Sequence, residues 1–190
     1  VSSRSIVSEA AIVHAWNVQG DPSRSAFRDE VSRQLRVALP PLPNTTARGD
    51  RVTAFWLGPP SWLIVADVPG SPLTGFVDKR NALNAVGGAL FDLSASRVAY
   101  RVVGPHATAI LASGCPLDLH PRAFRAGGCA QSLFGRVNAL LYKVDNAPTF
   151  VVMVARSFAR DVRQALGAAA RQFENGSESA KTAANAIVRT

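Results

Sequence analysis

One order of local patterns runs through this chain twice: a strand-like run, a helix, paired strand-like runs and a second helix. In the first pass, residues 12–18 read as a strand. Asp21-Pro22 is a helix entry, with Asp as the cap and Pro at the first helical position. Phe27, Val31, Leu35 and Leu39 then recur every four residues, one apolar stripe that Pro40 ends. Residues 40–49 read as a loop. Residues 51–57 and 62–67 flank Gly58-Pro59-Pro60-Ser61, a hairpin with a four-residue turn. Ser71-Pro72 opens a helix along Leu73, Phe76, Leu83 and Val86, closed by Gly87-Gly88.

The second pass predicts strand 97–103, helix 105–112, a Cys-, Pro-, Gly- and Arg-containing loop over 114–128, and strands 129–134, 137–144 and 149–155. Asp145-Asn146-Ala147-Pro148 turns the last pair, and Ser157 caps a helix with Phe158, Val162, Leu166 and Phe173 on its apolar side. The expected class is α+β: two related halves, each an antiparallel sheet with covering helices. Residues 1–10 are expected to form an N-terminal arm and residues 11–174 a single domain, with halves of about 11–92 and 93–174. The polar, Ala- and Ser-rich residues 175–190 read as a frayed tail or docking arm.

Of the +8 net charge, +5 lies in residues 93–144, where six Lys/Arg meet one acid. Such a segment suits nucleic acid, an acidic partner protein or an anionic cofactor. Arg outnumbers Lys 18 to 3, which favours planar, forked contacts over point charges. Arg97 and Arg101 share a strand face, and with Arg122, Arg125 and Arg136 they are candidate partner contacts. Aromatic residues do not interleave with them, so a base-stacking platform is poorly supported. The longest uncharged run, residues 102–117, is broken by Pro105 and Pro116 and is too short to span a bilayer. No basic segment followed by an apolar core opens the sequence, and the two cysteines read as free thiols, so the cytoplasm is the expected compartment.

The chemistry on offer is sparse. Cys115 and Cys129 are fourteen apart with no close ligand pair, which argues against zinc. A nucleophilic Cys115 would need a base such as His120 folded back onto it; buried, inert thiols are the simpler expectation. His14 is expected to be half-buried and His106 to lie at the surface. Asp92 could act as a base, or it and Ser94 could simply bond the local backbone. Gly87-Gly88 and Gly127-Gly128 lack the spacing of a dinucleotide or phosphate loop. In residues 51–57 both strand faces are apolar, so Trp16, Phe55, Trp56 and Trp62 are not all expected in the core. Trp56 and Trp62 are accordingly candidates for an apolar interface.

Residues 92–119, DLSASRVAYRVVGPHATAILASGCPLDL, resemble the tetrahydrofolate-binding aminomethyltransferase family, which includes the glycine-cleavage T-protein. The Gly-Cys-Pro-Leu-Asp-Leu ending is more specifically similar to gamma subunits of heterotetrameric sarcosine oxidase. The resemblance continues through Phe124, Gly128-Cys129-Ala130-Gln131-Ser132 and Arg156-Ser157-Phe158-Ala159. It reaches back to Leu57-Gly58-Pro59-Pro60-Ser61-Trp62-Leu63, covering roughly residues 14–166. It implies an assembly with alpha, beta and delta subunits that oxidises sarcosine to glycine and forms hydrogen peroxide. The one-carbon unit is released as formaldehyde or passed to tetrahydrofolate. FAD, FMN, NAD and tetrahydrofolate would be carried by the other chains, the flavin and nicotinamide sites by alpha and beta and the folate site by alpha. The gamma chain would contribute no catalytic, cofactor or metal residue and would contact neither nucleic acid nor membrane. The Tyr-Thr-Gly-Glu folate signature of active transferases is absent; the corresponding region reads Leu140-Leu141-Tyr142-Lys143-Val144-Asp145. The alternative is a stand-alone folate-binding protein, a transferase or iron–sulfur assembly factor of related fold. RNA binding rests on charge alone.

Overall fold

The structure, a computed structural model, describes residues 6–187, with side chains through Phe173. The chain runs β1 (Ile6–Ala10), β2 (His14–Gln19), α1 (Ser25–Leu35), β3 (Thr46–Arg48), β4 (Thr53–Gly58), β5 (Ser61–Ala66), α2 (Phe76–Ala85) and β6 (Ala89–Asp92). It continues through β7 (Arg97–Val103), α3 (Ala107–Ala112), β8 (Cys129–Phe134), β9 (Val137–Lys143), β10 (Thr149–Ala155) and α4 (Ala159–Ile187). Two five-stranded antiparallel sheets result, ordered β3-β4-β5-β2-β6 and β1-β7-β10-β9-β8.

The sheets face each other, and every strand side is used. Alternate residues of a strand point to opposite faces. In the first sheet Trp16, Val18, Ala54, Trp62 and Ile64 face α1 and α2, packing with Phe27, Val31, Leu35 and Leu83. In the second, Val98, Val102, Leu141, Phe150, Val152 and Val154 face α3 and α4 with Ile110, Leu111, Val162 and Leu166. The remaining faces meet in a third core of Ala15, Phe55, Leu63, Val65, Ala99, Cys129, Leu140, Tyr142 and Met153. The layers are therefore helix, sheet, sheet, helix.

This arrangement leaves the second apolar face of residues 51–57 no need of a partner to cover it. The other sheet covers it: Phe55 meets Tyr142 edge-on, with ring centroids 5.1 Å apart. Trp16, Phe55 and Trp62 are all buried, and Trp62 Nε1 donates to the Pro40 carbonyl at 3.1 Å. Only Trp56 of the four is half-buried.

Folding the second sheet onto the first reveals internal symmetry. β2-α1-β3-β4-β5-α2 corresponds in order and pairing to β7-α3-β8-β9-β10-α4. The strand preceding each unit crosses over: β1 pairs with β7, and β6 pairs with β2. Residues 6–10, expected as an arm, are thus an edge strand, with Val7 packed on the outer core beside α4. Residues 51–55, Arg-Val-Thr-Ala-Phe, correspond to residues 136–140, Arg-Val-Asn-Ala-Leu. Both stretches follow a tight turn whose amide reaches back to the end of a helix. Asp50 N–H donates to the Arg36 carbonyl at 3.2 Å, and Gly135 N–H to the Gly114 carbonyl at 2.7 Å.

Several local boundaries differ from the pattern-based expectation. The Asp21 carboxylate accepts from Ser23 N–H at 2.8 Å in a turn ahead of α1, which starts at Ser25 with no side-chain cap. Arg36 in the left-handed region (φ 54°) ends α1 before Pro40, leaving Leu39 outside the helix. Residues 67–75 do not form a helix; they make an irregular linker of bends and turns that buries Leu73. A single 3₁₀ turn, Arg156–Phe158, replaces the expected Ser157 cap. The backbone of α4 continues as helix through Ile187, where a frayed tail was expected from 175; the side chains of 174–187 and residues 188–190 lie outside the description.

Candidate partner-binding surface

The five arginines singled out in the sequence lie at three separate places. Arg97 and Arg101 project from β7 on the side that faces the first sheet. Arg97 is half-buried beside a cleft of roughly 550 Å³ between the sheets, lined by Leu57, Leu63, Gln131, Leu133 and Leu140. Arg101, opposite Ser8 and Val151, is exposed. Arg122 and Arg125 stand exposed in the loop between α3 and β8. That loop is fixed by its own backbone: Gly128 N–H donates to the Arg125 carbonyl at 2.9 Å, and Gly127 N–H to the Lys143 carbonyl at 2.8 Å. Arg136 occupies the tip of the β8–β9 hairpin. Because β10 and β9 intervene, β7 and β8 are about 14 Å apart at ~4.8 Å per strand, so the arginines form a broad surface and not one pocket.

Trp62, proposed for the same surface, lies in the core between the first sheet and α1, so it offers nothing to a partner. Trp56 offers one partly exposed edge. The exposed apolar side chains are instead Phe91 on β6, Leu133 on β8 and Phe158 just before α4, with Ile6, Leu42, Val68 and Val77 elsewhere. Phe91 stands on β6, a stretch to which the sequence pattern assigns no element. Leu133 was legible as an alternate residue of an expected strand, but its face was not.

The possible chemical groups are engaged locally. The Asp92 carboxylate accepts from both the amide and hydroxyl of Ser94, and Ser94 Oγ accepts from Ala15 N–H at 3.0 Å. The pair anchors the crossover from β6 to β7 to strand β2. Cys115 lies in the outer core, its Sγ 3.9 Å from Ser132 Oγ, whereas Cys129 lies between the sheets. Burial pushes the Cys129 thiol up to about 11, with the Trp56 backbone opposing this in smaller measure. His120 Nδ1 accepts from Arg122 N–H at 3.2 Å, and His106 stacks on Phe173. Tyr142 and Arg48 pair across the two sheets at 3.0 Å, and this contact raises the guanidinium above its usual value. Among the described residues, no group of three or more His, Cys, Asp or Glu could hold a metal ion, and no helix is long and apolar enough to cross a membrane.

The stretch aligned with the folate signature is committed to packing. Leu140 and Tyr142 fill the core between sheets, and Leu141 fills the outer core. Lys143 is buried, with Nζ 5.7 Å from the centre of the Phe150 ring.

Comparison with known proteins extends these observations over most of the chain. Residues 19–171 match the sarcosine oxidase, gamma subunit family. The chain is 31% identical over 148 residues to sarcosine oxidase subunit gamma from Arthrobacter sp, covering 77% of this chain and 71% of that protein. It is 28% identical over 145 residues to sarcosine oxidase subunit gamma from Corynebacterium sp. strain P-1, covering 76% and 70%. Its fold is that of a chain in heterotetrameric sarcosine oxidase from Corynebacterium sp. U-96, with a TM-score of 0.80 at 23% identity over 91% of this chain and 87% of that one. Aminomethyltransferase T of the glycine cleavage system from Bartonella henselae shares it more distantly, with a TM-score of 0.61 at 14% identity over 86% of this chain and 46% of that one. Sequence, topology and the two facing sheets agree: the chain belongs to the sarcosine oxidase gamma subunit family.

Proposed function

We propose that this protein is the gamma subunit of a heterotetrameric sarcosine oxidase, acting as an assembly component with no catalytic residue of its own. The observation that carries this reading is the family match along residues 19–171, which runs from the end of β2 into α4 and takes in strands of both sheets. The partners are the alpha, beta and delta subunits. FAD, FMN, NAD and tetrahydrofolate reside on those chains. The complex converts sarcosine to glycine with formation of hydrogen peroxide, and the methyl carbon goes to tetrahydrofolate or leaves as formaldehyde.

Within that assembly the exposed arginines contribute contacts. An exposed ion pair is worth about 0–1 kcal/mol, whereas losing one partner of a buried interface pair costs about 2–5 kcal/mol. Arg97→Glu with Arg101→Glu is expected to weaken association and make it salt-sensitive, while the circular dichroism of the chain is unchanged. Normal assembly with poor turnover at saturating substrate would assign these residues a catalytic role instead. The purified chain is expected to show no flavin absorbance band and no sarcosine turnover; either property in the lone chain overturns the reading. Tight binding of tetrahydrofolate by the lone chain would favour the stand-alone alternative.

A further inference from the structure

The two halves differ at one place that the symmetry makes conspicuous. Between β5 and α2 the first half has the linker 67–75, whereas β10 joins α4 through the single turn Arg156–Phe158. The linker fills a site. Arg51 Nη1 donates to the Gly70 carbonyl at 3.4 Å, and Leu73 is completely buried in one core with Val37, Val52 and Leu83. In the second half the corresponding place is a groove of roughly 600 Å³. Its walls are the end of α3 at Gly114, the β8–β9 tip at Phe134 and Arg136, and the α4 residues Val162, Ala165 and Ala169. Val137, the counterpart of the buried Val52, is only half-buried. Phe158 at the rim is 44% exposed. Arg136, the counterpart of Arg51, makes no hydrogen bond or ion pair among the described residues.

We propose that this groove receives a loop segment of a partner subunit, which supplies in trans what the irregular linker 67–75 supplies in cis in the first half. The segment inserts a branched aliphatic side chain between α4 and the β8–β9 tip, as Leu73 is inserted beside α2. It sets a carboxylate against Arg136, a groove-wall cation with no ion pair among the described residues. Ala165 and Ala169 leave room for the inserted side chain, and burying an exposed Leu- or Phe-sized group contributes about 1.5–3 kcal/mol. Filling one hydrophobic slot and satisfying one guanidinium is the anchor pattern of a protein interface, where a few buried groups carry most of the affinity. The occupant is a partner subunit because this inference rests on the gamma-subunit reading.

The test is competition during assembly. Tagged variants and untagged wild-type chain are co-expressed with the alpha, beta and delta subunits of a heterotetrameric sarcosine oxidase, and their ratio in the purified complex is measured. Ala165→Phe, which fills the groove, and Arg136→Glu, which repels the carboxylate, are each expected to fall at least tenfold below wild type. Phe158→Ser, at an exposed position, is expected to compete less well than wild type while its melting curve as a full-length chain stays unchanged. Incorporation of all three at wild-type levels overturns the groove assignment and leaves the gamma-subunit reading intact. Failure of the wild-type chain itself to enter the complex overturns both. Groove-dependent self-association of the wild-type chain would identify a second copy as the occupant and overturn the proposal.

Discussion

Cys129 sits where the two sheets approach, fully buried, with its thiol directed at the carbonyl oxygens of Thr45 and Trp56. A thiol held protonated by burial is a poor nucleophile. It should remain unmodified by iodoacetamide at pH 8 in the native chain and react fully once urea is added. The shift also has a pH signature. The folded group ionises at about 11 against 9.0 for an unburied thiol, so the unfolded chain releases this proton first. The thiol's contribution to stability is therefore complete below pH 9 and is lost as pH rises from 9 to 11. Urea unfolding of wild type and Cys129→Ala across that interval should converge. Phe150, wholly buried and stacked on Phe124, tests packing instead. Phe150→Ala is expected to cost about 3–5 kcal/mol by the same measurement. Residue identities on regular strands were readable from alternation, but which sheet would meet which face was not. Phe55 and Leu140 look alike to a pattern of period two whether solvent, helix or a second sheet lies opposite.

Strands β7, β8 and β10 follow directly from runs of alternating or continuous apolar residues bounded by turn residues. β1, β3 and β6 do not. β3 has three residues inside a proline-rich connection, and it exists because it pairs with β4 and because Cys129 N–H donates to the Asn44 carbonyl. β1 and β6 are edge strands whose partners lie about 90 and 75 residues away in sequence, a distance that local pattern cannot register. The linker 67–75 misled for a related reason. Ser71-Pro72 followed by Leu73 carries a helix-entry signal, but Leu73 is buried in a non-helical linker, and the helix starts only at Phe76, after Gly75 in the left-handed region. Deleting residues 1–10 strips the edge of β7 and uncovers Val7's place against the outer core. The expected result is a lower melting temperature and aggregation on heating, checked by differential scanning fluorimetry with light scattering. The open groove along α4 could not have been read from the sequence, because it is defined by a linker that the second half lacks.

With the halves taken as β1 to α2 and β6 to α4, each lends its leading strand to the other's sheet, so neither sheet is complete without both halves. The seam is reinforced opposite these strands by the Thr45–Gly128 bridge, the Arg48–Tyr142 pair and the Gln131 amide on the Leu57 carbonyl. The full chain should consequently unfold in one cooperative transition, with circular dichroism and tryptophan fluorescence giving coincident midpoints. Fragments 1–87 and 88–190, which part β1 and β6 from their partner strands, should each lack stable tertiary structure and regain it on mixing; independent cooperative melting of either fragment would contradict the interlocked core. Fold class was legible, since two rounds of the same pattern imply two similar layers. Their interlocking was not, because it depends on which partner each edge strand chooses. That choice also has a consequence during synthesis. At about 5–20 residues per second, β7 emerges roughly 5–20 s after β1, the strand it must pair with. For that interval a nascent edge waits without its neighbour, and it carries Ser8 and Glu9 among its five residues, the kind of polar interruption that keeps an unpaired strand from joining the wrong one.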